Sequence, residues 1–77
     1  MNLERHCKFK ELLPQLEAYI RIMKAANTVR NDAKMYIEIE KRRVTLHDEI
    51  LNIAGTTRKD EEFSMALATF CESMLNL

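Results

Sequence analysis

A helix drawn over residues 32–54 carries two apolar ridges, and no other feature constrains this chain as much. At about 100° per residue, Met35, Ile39, Leu46, Ile50 and Ile53 share one ridge. Ala33, Ile37, Val44 and Leu51 share a second, a little under half a turn away. Tyr36, Glu40, Arg43 and His47 form a polar seam between the two. An apolar helix face is stable only when something covers it. Two ridges need two covers, and a chain of 77 residues has few helices to supply them. The pattern predicts association, either with a copy of the chain or with another protein.

The neighbouring segments also read as helices. Phe9, Leu12, Leu13, Leu16, Tyr19, Ile20, Met23 and Ala26 recur at helical spacing on one stripe, and Lys10, Glu17, Arg21 and Lys24 cover the opposite side. Pro14 falls on the polar side. It is expected either to open this helix at its first turn or to kink a longer one that begins near Asn2. Asn27, Thr28, Asn31 and Asp32 are good N-cap types, and Asn31 or Asp32 is expected to cap the second helix. Gly55 is the only glycine and sits where that helix should end in a left-handed residue. Thr57-Arg58-Lys59-Asp60 resembles a capping box with Asp in place of Glu. Phe63, Ala66, Leu67, Phe70, Met74 and Leu77 then form a narrow stripe. A rival reading makes Met35–Glu40 and Val44–His47 the strands of a β-hairpin turned at Lys41-Arg42-Arg43. That turn lacks the Gly, Asn or Asp that tight hairpins prefer, and a lone two-stranded hairpin is marginal in water. The expectation is therefore one all-α domain over residues 1–77. It has helices at about 3–27, 32–54 and 58–76, the first two forming an antiparallel helical hairpin, and it is oligomeric.

Size supports that expectation. A chain this short buries only about 60% of its unfolded surface, so extra stabilisation from disulfides, metal or oligomerisation is usual. Two cysteines, Cys7 and Cys71, are far from a disulfide framework and are read as free thiols in a reducing compartment. Met1 to Glu11 is studded with charges and lacks an apolar signal core. No apolar run approaches the ~20 residues a bilayer requires. The location expected is cytoplasmic, with no membrane partner. Net charge is zero but uneven: residues 1–43 hold ten Lys or Arg against six Asp or Glu, and residues 44–77 hold two against six. This asymmetry favours an intramolecular or antiparallel arrangement in which the two halves face each other.

The residues offer three classes of site. In the seam, Glu40 and Arg43 are three residues apart and Arg43 and His47 are four apart, so neighbours can pair. Glu40 and His47 would be the acid/base couple of an enzyme, but no glycine-rich loop, nucleophile setting or second carboxylate cluster accompanies them. Zinc would have to use His6, Cys7, His47 and Cys71, which lack the close ligand pairs of structural sites. No metal, cofactor or catalytic residue is expected. Lys41-Arg42-Arg43 could touch phosphates, but Glu38, Glu40, Asp48 and Glu49 interleave on the same helix. A nucleic-acid-binding regulator is thus the alternative reading. The preferred one is a non-enzymatic interaction module: an adaptor, co-chaperone or inhibitor that presents apolar helix faces. Its expected contact residues are Tyr36, Ile37, Val44 and Leu51 on the second helix and Phe63, Leu67, Phe70 and Met74 on the third.

Overall fold

The computed structural model describes all residues from Met1 to Leu77 and contains helices only. A 3-10 turn, Leu3–Arg5, is followed by three helices: α1, Phe9–Thr28; α2, Ala33–Ala54; and α3, Glu61–Leu75. The segment that offered a β-hairpin lies wholly within α2.

The first helix does not reach back to residue 3. His6 adopts an extended backbone, with ψ 137°, and its Nδ1 accepts a hydrogen bond from the Lys8 amide at 3.1 Å. This local bond gives the backbone an alternative to helix, and the chain breaks there. The break lets the terminal turn fold onto α3. Leu3 is buried, the edge of the His6 ring meets Phe63 at 5.6 Å, and the terminal amine lies 3.7 Å from Glu62. Pro14 neither opens nor precedes α1 but sits inside it. A proline there leaves the carbonyl four residues back, that of Lys10, without its helical donor, and Lys10 is exposed to water.

The remaining helix ends follow from capping chemistry. Asp32 caps α2 by accepting from the Met35 amide at 3.2 Å. Gly55, at φ 75°, closes it: the Thr56 amide bonds Leu51 O at 3.0 Å and the Gly55 amide bonds Asn52 O at 3.1 Å, the Schellman pattern. The third helix starts later than its sequence suggests. Asp60, not Thr57, is the N-cap and accepts from the Phe63 amide at 2.9 Å. Thr56 donates its hydroxyl to the other Asp60 oxygen at 2.7 Å, and Thr57 only bonds the Lys59 amide. These bonds hold the Asp60 carboxyl below the usual carboxylate range, the Phe63 amide being the main cause.

The stripe expected on α1 is the heart of the core. Leu12, Leu16, Tyr19 and Ile20 pack with Leu3, Ile50, Leu51, Phe63, Ala66, Leu67 and Cys71. Phe9 meets Phe70 edge to face at 5.8 Å. All of α2's buried residues, Ile50 and Leu51, lie in its last turns, although α1 runs beside it. Helix α3 lies against α1 and the terminal turn, and its backbone makes no close approach to α2. The molecule is accordingly elongated, 38 × 25 × 21 Å. It has a base of three helices and an arm of two, the arm being the end of α1 and the first half of α2.

This placement of the core predicts a sharp contrast in urea denaturation. Leu16→Ala, at a fully buried site, should cost about 3 kcal/mol. Ile37→Ala on the exposed arm should cost less than about 0.5 kcal/mol. Comparable losses at both sites would contradict the division into base and arm.

Candidate interaction surface

The polar seam does assemble, but against α1. The Arg43 guanidinium donates to Glu40 Oε2 from Nε at 3.0 Å and reaches the Tyr19 hydroxyl at 3.2 Å. The His47 ring tilts over the Tyr19 ring with centroids 6.0 Å apart. Tyr19 is the member that sequence reading missed as a polar partner. Its place in a run of apolar stripe residues marked it only as core, and only its hydroxyl signalled that a buried donor would be sought. Tyr36, expected in the seam, stands outside it and is exposed.

Each member has a defined electrostatic state. The bond to Tyr19 is the largest effect raising the Arg43 pKa, Glu40 adds to it, and partial burial opposes both. Arg43 is therefore permanently charged. His47 is pushed the other way, chiefly because it is dehydrated; Arg58 and Arg43 lower it further and Asp48 partly compensates. Its Nδ1 is buried and finds no hydrogen-bond partner. The Glu40 carboxylate is engaged by Arg43, while His47 lies on the Tyr19 ring. The cluster clamps α1 to the arm of α2.

The soft ligand types do not gather. No three His, Cys, Asp or Glu side chains come together as a metal-binding group. Cys7 is exposed and Cys71 buried, both as free thiols. Burial pushes the Cys71 thiol up to about 11, so at neutral pH it is an unreactive packing group.

The eight expected contact residues divide. Leu51, Phe63 and Leu67 are buried and serve the core, a correction to their expected place on a free surface. On α3 the terminal turn folds back over the stripe of Phe63 and Leu67, which periodicity alone leaves open, while Leu51 enters the same core from the last turns of α2. Phe70 is half-buried against Phe9. Met74 is exposed at the edge of the base. Tyr36, Ile37 and Val44 remain open on the arm, Ile37 at 55% and Val44 at 39% of full exposure. They line one shallow depression with Glu40, Lys41 and Thr45. Beside it an open groove of about 730 Å³ runs between the arm and the end of α3, floored by Met23, Ala26, Tyr36 and Leu75.

The first ridge fares differently along its length. Leu46 and Ile53 pack on the core and Ile50 is part of it, whereas Met35 is half exposed. Nor do the two charged halves neutralise each other. Four of the five ion pairs lie within one half or the other, and the one that crosses uses the terminal amine. Residues 21–43, which include the arm, hold seven Lys or Arg against three Asp or Glu. The rest of the chain carries the opposite balance. No helix is long and apolar enough to cross a membrane. Compared with family models, characterised proteins and solved structures, the chain matches none.

Two measurements test the cluster and the thiols. His47 has a folded pKa below its ordinary value near 6.5, so the unfolded chain binds more protons in that range. Stability should rise with pH through the window below about 6.5 and fall on acidification. His47→Gln should flatten that slope in urea midpoints between neutral and mildly acidic pH. An unchanged slope would show that His47 does not carry it. In the native protein, a thiol reagent should modify Cys7 at once and Cys71 only on unfolding.

Proposed function

We propose that this chain is a non-enzymatic protein-interaction module, an adaptor, co-chaperone or inhibitor that docks through the outer face of α2. The observation that carries this reading is the open strip of Tyr36, Ile37 and Val44 on a helix whose last turns enter the core through Ile50 and Leu51. The first two helices are read as an antiparallel hairpin. The four-residue connection from Val29 to Asp32 and the contacts from Tyr19 to both Arg43 and His47 support that arrangement. Its location is read as cytoplasmic, on the strength of the free thiols.

The competing reading, a nucleic-acid-binding regulator, draws on the basic excess of the arm. Arg43, one of its three key cations, is held by Glu40 and Tyr19, and Glu38 and Glu40 interleave with the stretch, so the surface is not purely basic. That favours protein docking.

A photoreactive side chain placed at position 37 tests the proposal. In cells of the native host it should form protein adducts in far higher yield than the same group at Lys10, on the solvent face of α1. Ile37→Asp or Val44→Asp should weaken association with the captured protein more than Lys34→Asp does. Equal adduct yields at positions 37 and 10, or equal effects of the three substitutions, would refute the face assignment.

A further inference from the structure

The outer face of α3 complements the arm of α2 in both charge and apolarity. Helix α3 contains three glutamates and no Lys or Arg. Its solvent face carries Met65, which at 69% is far more exposed than a core methionine, together with Ala68 between Glu61 and Glu72. Neither Glu61 nor Glu72 is engaged by any of the five ion pairs. On the arm, Ile37 and Val44 are flanked on one side by Lys34 and Lys41. Lys34 is in no ion pair, and Lys41 has only a loose, exposed contact with Glu38. Residues seven apart on a helix are separated by about 10 Å. That spacing sets Ile37 from Val44 and Lys34 from Lys41 on one face, and Met65 from Glu72 on the other.

We propose that the occupant of the arm is α3 of a second copy of this chain, and that the dimer is a reciprocal two-fold in which each arm lies on the other's α3. The proposal rests on the docking reading above and names its partner. One arm-on-base contact made alone leaves a free arm and a free base, so it either propagates or closes. Closure by two-fold symmetry covers both arms and doubles the buried area. The doubling matters, because a stable interface needs about 800 Å² per partner, near one seventh of the 5572 Å² this chain exposes. Pairing α2 with its own copy would instead bring Lys34 and Lys41 near the same lysines, while both acidic α3 faces stayed open.

Charge reversal in a mixing experiment separates these arrangements. By light scattering the purified wild-type chain should have twice the chain mass at tens of micromolar, and added salt should weaken the dimer. The arm variant Lys34→Glu with Lys41→Glu sets acid against acid, and dimerisation should fall about a hundredfold. The base variant Glu61→Lys with Glu72→Lys sets base against base and should fall as far. An equimolar mixture of the two variants restores opposite charges at both contacts, so a heterodimer should form although each variant alone is monomeric. All four positions are exposed, and helical circular dichroism confirms that each variant is folded. Recovery in the mixture cannot come from a misfolded chain. A monomeric wild type, a base variant that still dimerises alone, or a mixture that stays monomeric overturns the proposal. Adducts to a different protein at position 37, with a monomeric purified chain, would defeat this pairing and leave the docking reading standing.

Discussion

The shape of this molecule follows from a mismatch in helix length. At about 1.5 Å per residue, α2 spans roughly 33 Å and α3 roughly 22 Å. The shorter helix leans on α1 and the terminal turn, and the core it completes reaches only the last turns of α2. Ile50 and Leu51 are enclosed there, while Val44 and Ile37, one and two heptads earlier on the Leu51 ridge, meet solvent. The free strip is thus the continuation of a core face beyond the point where its cover ends.

The arm must hold its form without a third helix, and the polar seam supplies part of the means. The Arg43 guanidinium bonds to Glu40 on its own helix and to Tyr19 across the interface. Charge-assisted bonds of this kind are stronger than neutral ones and fix orientation as well as contributing energy. They also explain why a charged residue can occupy the inner side of α2. Two apolar helices alone could slide along each other, whereas a guanidinium held between a carboxylate and a phenol sets one register. The cost is borne by His47, whose Nδ1 is dehydrated without a partner.

Much of this was legible in the sequence. The α1 stripe, the helical reading of residues 35–47, the Asp32 cap and the Gly55 ending all rest on local periodicity or on capping chemistry, which the chain encodes within a few residues. The two ridges of α2 were also legible, and so was the shortage of cover. What local pattern could not give was the fate of each ridge. Phe63 and Leu67 look like surface residues if the N-terminal segment continues into α1. The chain instead breaks at His6, where the ring accepts from the Lys8 amide, and Leu3 is buried with α3. Leu51 joins that core from the last turns of α2. The charge asymmetry is resolved by the fold in a similar way. Within one chain the two halves do not neutralise each other. The fold divides the chain at other points, so the excess positive charge collects on the arm and the negative on the base.

That segregation decides what kind of contact the strip can make. Ile37 and Val44 form a small apolar patch bordered by charged side chains. Apolar burial alone would hold such a patch loosely and with little preference for orientation. Lys34 and Lys41 beside it change the balance, because opposite charges on a partner raise the rate of encounter and select its orientation, while like charges reject the wrong one. A face of this kind favours a narrow, acidic, mildly apolar helix over a greasy groove or a polyanion. Helix α3 satisfies that description on the opposite end of the same chain. Its solvent face carries the exposed Met65 beside Glu61 and Glu72.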